Sequence, residues 1–438
     1  MKKLQQIKLT SHPVFKKDAI LNLFNEADEK KDIPSFFFLV GENGSGKTSI
    51  LDLIYASLGE TKEGYGMPVE SIESNSIKAE LSLQDKTGTI KMTIDIEDGR
   101  IRSDNHPENL KVIYNKVDVS FKRPKVTSAT AITIDEKENP REQSKDLSEI
   151  IPQLLVNIKA QDDALIADHV REHNQIPDDR TGKLARFTNA FEKMFNGTKT
   201  FKTVKPKDGE LKIIFTDKND NEVELGTFST GEKQIIYRVG HLLKDLENLN
   251  GALILIDEPE TSLHPKWQKK YVQFLIDVFS GLDIQFIIAT HSPYLLQGLR
   301  DGKSVCYKVD RTQKQIGEEI GFYKNMIGGG PSLNLINYKV YDIVDELLHI
   351  ELFTALEIKE GGYNKLKSKL DTDSKTRKVN NFVATVAYST CKIGDTVVES
   401  LPISIRNKIH HADERARPDF CESDLRESIE IMLSILST

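Results

Sequence analysis

The stretch FFFLVGENGSGKTSILDLI, residues 36–54, sets an unbroken apolar run, a loop with three glycines and one lysine, and a second apolar run in direct succession. The first run, Phe36 to Val40, has no polar interruption, as expected of a strand buried on both faces of a parallel sheet. In the second, Ile50, Leu51, Ile54 and Leu58 recur at helical spacing. The loop between them satisfies G-x-x-x-x-G-K-[ST] through Gly41, Gly46, Lys47 and Thr48. Glycines let backbone N–H groups turn inward around phosphate oxygens, and the helix start adds partial positive charge. The lysine reaches the outer phosphates, and the hydroxyl is a ligand for Mg²⁺. Gly41, Asn43, Gly44, Gly46, Lys47, Thr48 and Ser49 therefore form the candidate nucleotide cradle.

Three later stretches supply complementary chemistry. In LGTFSTGEKQIIYRVGHLL (Leu225 to Leu243), Ser229 precedes a helical pattern, where it caps the helix and leaves backbone donors for a second anion. In GALILIDEPETSLHPKWQ (Gly251 to Gln268), an apolar strand ends in adjacent carboxylates, Asp257 and Glu258. Alternation along a strand predicts separate tasks for them: Asp257 holds Mg²⁺ and Glu258 faces the attacking water as general base. In IQFIIATHSPYLL (Ile284 to Leu296), a third apolar strand ends in Thr290 and His291. Parallel strands would bring these residues to one sheet edge, with His291 at the γ-phosphate. Each stretch alone has a plainer reading as a helix cap, a pair of solubilising acids or a satisfied loop histidine.

Taken in order, the phosphate loop, FSTGEKQ, LILIDEPETSLHP and IIATHSP resemble the head of ABC-type ATPases, with Walker A, signature, Walker B, D-loop and switch histidine. The resemblance implies ATP and Mg²⁺ as cofactors and hydrolysis of ATP to ADP and phosphate. It also implies a homodimer with composite sites. In each, Ser229, Gly231 and Lys233 of one copy close over ATP held by Lys47 and Thr48 of the other, with Glu260 to His264 as the D-loop between the sites. One departure stands out. The family carries a glutamine after the Walker A lobe, whereas LKVIYNKVDVSF (Leu110 to Phe121) offers only Asn115.

About 180 residues separate Lys47 from Ser229. Within them SIKAELSLQ and TGTIKMTIDIEDGRIRS alternate as a small antiparallel sheet, and GELKIIFTDKNDNEVELG reads as a hairpin. KDLSEIIPQLLVNIKAQDDALIADHVREH and TGKLARFTNAFEKMFNG read as helices, and no heptad run is long enough for a coiled-coil arm. ETSLHP followed by WQ, and THSPYLL, are similar to the short ABC ATPases of prokaryotic anti-phage defence. These include the ATPase subunits of Septu and PARIS, overcoming-lysogenization-defect-like proteins and the anticodon-nuclease ATPases. The resemblance implies a sensor or scaffold subunit that controls a separate nuclease or toxin effector. A DNA-repair or recombination ATPase is an alternative, weakened by the missing coiled coil.

The strongest linker signal is IGGGPSLNL, residues 327–335. The expected organisation is an α/β head over residues 1–326, followed by that linker and a mainly α-helical domain over 336–438. The head combines a mostly parallel sheet flanked by helices with a small antiparallel β subdomain and a helical insert. It divides into a Walker A lobe (1–135), an insert (136–224) and a signature, Walker B and switch lobe (225–326). Beyond the linker, NYKVYDIVDELLHIELFTALEIK predicts one helical face shared by Val340, Ile343, Leu347 and Leu348. SKLDTDSKTRKVNN predicts a polar loop, and LRESIEIMLSILST a closing amphipathic helix capped by CESD. Arg406, Asn407 and His411 match R-N-x₃-H, which resembles the ribonuclease motif of HEPN helical domains. That resemblance implies that Arg406 and His411 activate a ribose 2′-hydroxyl and stabilise the phosphorane charge. A structural arginine and histidine at a helix end is the plainer reading; a self-contained RNA-cleaving toxin is the alternative to the separate effector.

Composition narrows the classes further. A formal charge of −7 argues against wholesale coating of nucleic acid, although nucleic acid stays open as a partner, as does a homo-oligomer larger than a dimer. The lysine-rich SFKRPK and KTFKTVKPK read as solvated loops. The three cysteines, Cys306, Cys391 and Cys421, lack metal or disulfide spacing and fit a reducing cytosol. No window approaches the roughly 18–20 apolar residues of a membrane span, and MKKLQQIKLTSHPVF lacks the apolar core of a signal peptide. The expected compartment is the cytoplasm, with no membrane partner.

Overall fold

The apolar runs become strands of a six-stranded sheet ordered Gly317–Glu319, Ser304–Val309, Phe36–Val40, Gln285–Thr290, Leu253–Asp257 and Val112–Asn115. All are parallel except the short Gly317–Glu319 edge strand. Phe36–Val40, Leu253–Asp257 and Gln285–Thr290 are buried along their whole length, which is why their sequences show no alternation. The register pairs Asp257 with Ala289 and Thr290 with Val40, so the three strands end level at one edge. The structure is a computed structural model and describes residues 2–24, 35–61, 64–65, 76–85, 88–97, 100–116, 125–129, 147–175, 182–299, 304–313, 316–319, 331–372, 378–383, 396–410 and 419–437. It divides into two compact units, Met1–Ile320 and Gly321–Thr438.

In the first unit a five-stranded antiparallel sheet runs in the order Ala19–Asn22, Lys3–Ser11, Ile77–Asp85, Gly88–Glu97 and Arg100–Ser103. One hydrophobic core joins this sheet to the parallel one, with the Lys47–Leu58 helix between them. That helix was expected to bury one face. Sandwiched between two sheets, it buries every residue from Ile50 to Leu58. The insert adds the helices Leu147–His173 and Ala185–Phe195 and a three-stranded sheet of Lys199–Lys207, Glu210–Asp217 and Glu222–Glu224. KTFKTVKPK is therefore a strand, not the expected loop. Its lysines are answered across the sheet, Lys202 and Lys205 by Glu222 and Lys207 by Glu224. SFKRPK lies outside the described residues except for Lys125.

In the second unit the helices Leu333–Tyr341, Glu346–Glu360, Tyr363–Thr372, Leu401–His410 and Glu422–Ser437 enclose a core that includes Leu335, Leu352, Leu366, Ile403 and Met432. A hairpin of Lys378–Val383 and Thr396–Ser400 accompanies them. Three expectations change. The run expected as one helix from Asn337 onward breaks at Asp342, which takes a left-handed conformation (φ 58°), and restarts behind Asp345, whose carboxylate accepts from Leu347 N at 2.7 Å. Val340 and Leu348 are consequently buried while Ile343 and Leu347 are exposed. SKLDTDSKTRKVNN is not a loop throughout, because its first residues end a helix and its last enter the hairpin. Ser332 caps a helix that begins inside the expected linker. Among the described residues no helix is long and apolar enough to cross a membrane.

Candidate functional site

The phosphate loop is shaped by two local facts. Gly46 sits at φ 101°, in the left-handed region, and a Cβ there would lie 2.5 Å from the Phe15 ring, so only glycine fits. Gly46 also offers no side chain to cap the helix, which leaves the first-turn N–H groups for a ligand. The Lys47 ammonium rests on the loop's own carbonyls, donating to Gly41 O and Glu42 O at 2.9 Å each. Burial lowers its pKa, against the pull of Glu258, Asp257 and Glu260.

Thr48 Oγ1 donates to Asp257 Oδ2 at 2.9 Å, joining the loop to the end of the Leu253–Asp257 strand. Asp257 is buried, and its other oxygen, Oδ1, has no partner among the described residues. Burial, helped by Glu258 and Asp52 and opposed by the Thr48 bond and Arg238, pushes its carboxyl up to about 6. A hydroxyl beside a buried carboxylate with a free oxygen is a donor set that fits a divalent cation. Arg238, in the helix Thr230–Lys244, braces the same strand end, its Nη1 donating to Asp257 O at 2.9 Å.

Glu258 departs from the expected strand alternation. The strand ends at Asp257, and Glu258 turns off it at φ 43° while its N–H still reaches Ala289 O. A left-handed glutamate costs on the order of 1–3 kcal/mol, a strain found where function needs a particular direction. His291 Nδ1 stands 3.4 Å from Glu258 Oε1 and 3.3 Å from Glu260 Oε1. Glu260 Oε1 also accepts from Thr290 Oγ1 at 2.7 Å and from His291 N at 2.8 Å.

At the signature segment Ser229 forms a reciprocal cap with Glu232: Ser229 N and Oγ both donate to Glu232 Oε2 at 2.8 Å, and Glu232 N returns a bond to Ser229 Oγ. Lys199 pairs with the other oxygen of Glu232. Burial pushes the Glu232 carboxyl up, but the Lys199 and Ser229 bonds outweigh it and hold the group below its usual range. A Cβ on Gly231 would lie 2.5 Å from Ser262 O, so the signature glycine packs directly on the loop after Glu258. Lys233 folds back onto Gly226 O at 2.8 Å. Among the described residues the polar partners of the Ser229 and Lys47 side chains are all local, and neither bonds the other's loop. Asn115, at the place of the missing glutamine, is buried between Arg238 O (3.2 Å) and His241 Nδ1 (2.6 Å).

Residues 36–297, more than half of the chain, match the protein family described as "AAA domain, putative AbiEii toxin, Type IV TA system". The chain belongs to this family. Among curated relatives of this AAA-domain chain, "Retron Vc95 probable ATPase" of Vibrio cholerae is 43% identical over 88 residues, 18% of this chain and 17% of the relative. "Septu protein PtuA" of Bacillus mycoides is 25% identical over 283 residues, 61% of this chain and 36% of the relative. The chain thus spans well under half the length of either. The Septu name that the motifs had brought up recurs among them. The SMC head domain from Thermotoga maritima aligns with 73% of this chain and 99% of its own length at 13% identity and a TM-score of 0.37.

The AAA-domain match ends before the second unit. There Arg406 Nη1 donates to Asn407 Oδ1 at 3.0 Å, and its guanidinium lies over the Tyr363 and Phe353 rings at 5.2 and 5.8 Å. Asn407 Nδ2 donates in turn to Glu399 at 3.1 Å. His411 lies outside the described residues. Arg238, Glu232, Lys199 and the inward turn of Glu260 join the site without having been among its candidates in the sequence. Only Glu232 left a signal, the S-x-x-E spacing of a reciprocal cap.

Proposed function

We propose that the chain binds Mg·ATP at the phosphate loop, hydrolyses it to ADP and phosphate in composite sites shared by two copies, and serves as the ATPase sensor or scaffold of an anti-phage defence assembly with a separate effector. The observation that carries the ATPase reading is the Thr48–Asp257 junction, with its buried, unpartnered Asp257 Oδ1 directly beneath the uncapped helix start. The defence role is supported by the relatives named for a retron and for Septu.

In this reading Lys47 leaves the Gly41 and Glu42 carbonyls for the outer phosphates, and the N–H groups of Lys47, Thr48 and Ser49 hold the inner ones. Thr48 and Asp257 hold Mg²⁺, which when bound offsets charge on the phosphates. Glu258, turned off the strand, accepts the proton of the attacking water, and His291 contacts the γ-phosphate. Ser229 and Gly231 of a second copy close the site; among the described residues of one chain the Ser229 side chain bonds only its own cap.

The test mixes two variants. Lys47→Ala and Ser229→Arg should each be inactive alone and recover ATP hydrolysis when combined, because heterodimers rebuild one intact site. No recovery between two folded variants would remove the shared site. For the defence role, cells carrying the chain with its neighbouring genes should resist phage, and the Lys47→Ala chain should not. Equal plating on both would overturn it.

A further inference from the structure

We propose that Glu260 is a positioning residue of this site: its buried carboxylate holds His291 by Nδ1 and by its backbone, so that Nε2 faces the ligand and Glu258 stays free to act. This rests on the ATPase reading above. One oxygen of Glu260 takes both the Thr290 hydroxyl and the His291 N–H, fixing the strand end and the residue after it together. The same oxygen stands 3.3 Å from His291 Nδ1. Among the described residues nothing bonds His291 Nε2. Nδ1 lies at ion-pair distance from two carboxylates and Nε2 from none of those described, so Nε2 is the nitrogen left to face a ligand.

The loop is built to keep this arrangement. Glu258 and Ser262 both take left-handed conformations, turning Glu260 between them inward. Gln268 Nε2 donates to Leu263 O at 2.8 Å, while its Oε1 accepts from Ser292 Oγ, so one side chain staples the Glu260 loop to the His291 segment. A neutral side chain would serve as well as a simple brace. Burying a carboxyl group with one oxygen unpartnered among the described residues is costly, so its placement beside the imidazole points to a partner that needs it. That partner is His291. The imidazole sits between two carboxylates at nearly equal distance. Without Glu260 it would turn onto Glu258 and occupy the group proposed as general base.

The experiment uses the full chain and steady-state ATP hydrolysis. Glu260→Gln keeps the size and an acceptor oxygen but loses the charge. It should lower kcat about 10- to 100-fold and leave KM within about threefold. On a His291→Ala background the same substitution should change kcat less than about twofold, since its effect runs through the imidazole. An equal loss on both backgrounds overturns the proposal. Glu260→Asp restores the charge and should recover part of kcat; if Glu260→Gln unfolds, Glu260→Asp with its own His291→Ala double variant decides in its place. A second readout does not need turnover. In ¹⁵N-histidine NMR of the nucleotide-free chain, the Nδ1 signal assigned by its loss in His291→Ala should shift in Glu260→Gln. An unshifted signal overturns the proposal even if the chain proves not to hydrolyse ATP. A wild-type chain that fails to hydrolyse ATP but shows the shift overturns the ATPase reading and leaves Glu260 as the holder of His291.

Discussion

The phosphate-loop edge of the first unit and the Arg406 corner of the second carry equally suggestive strings, yet they treat their polar atoms in opposite ways. At the edge, Asp257 Oδ1 and Glu260 Oε2 are buried without partners among the described residues, and Glu258 holds a strained backbone beside them. At the corner, Arg406 is bonded to Asn407 and stacked on two rings, and Asn407 is bonded onward to Glu399. Unpaired buried groups cost stability, so a fold that keeps several together is shaped for something that pairs them. A motif whose atoms are already satisfied by its own neighbours is accounted for by packing.

The comparison breaks first at Glu258. Glu258→Gln should lower hydrolysis about 10²- to 10⁴-fold, the range for loss of a general base, and accumulate ATP-bound dimers visible by size-exclusion chromatography. Turnover within a few-fold of wild type would leave the strained glutamate without a catalytic reason. Next comes Asp257. Burial raises its carboxyl from 3.8 to about 6, so the ionised group weighs on the nucleotide-free fold by about 3 kcal/mol at neutral pH. Asp257→Asn keeps an acceptor for Thr48 and should raise the nucleotide-free melting temperature at pH 7.5 while abolishing Mg·ATP hydrolysis. A lower melting temperature would mean that the edge is held together by that charge rather than burdened by it.

Much of this edge was legible in the chain because its chemistry lies in contiguous strings. GENGSGKT, STGE, IDEPE and ATHS each carry loop, cap or strand end within a few residues, and level parallel strands then bring the last two beside the first. What stayed hidden depends on backbone turns or distant partners. Alternation assigns Glu258 a direction that holds only while the strand lasts, and the strand stops at Asp257. Lys199 meets Glu232, and Asn115 meets Arg238 and His241, across long stretches of chain that no local pattern links. In the second unit the apolar spacing runs on through Asp342 and Asp345, so periodicity joined two helices that the aspartates separate.

The corner's unit also holds buried polar atoms without partners among the described residues, scattered rather than gathered at one edge, and one of them is strongly shifted. His349 is buried in the core with Nε2 on Ser428 Oγ at 2.9 Å and Nδ1 unpartnered among the described residues. Burial lowers it from 6.5 to about 3. The unfolded chain therefore binds the proton more readily between those values. Its contribution to stability is complete above pH 6.5 and is lost as pH falls toward 3, about 2 kcal/mol by pH 5. Urea melts of the full chain should show this acid loss, and His349→Gln should flatten it. An unchanged pH slope would place the acid sensitivity elsewhere.

The smallest effect tests the corner itself. Arg406→Ala removes a guanidinium lying over two rings and one bond to Asn407, while Asn407 keeps Glu399. Half-exposed contacts of this kind stabilise by about 1 kcal/mol. The variant should therefore melt slightly earlier, hydrolyse ATP within about twofold of wild type, and leave the RNA of expressing cells as the wild-type chain leaves it. The opposite pattern is RNA cleaved by the wild-type chain and spared by an equally stable Arg406→Ala. It would show that an arginine already satisfied by its neighbours still does chemistry, and unpaired buried atoms would then no longer separate the working edge from the packed corner.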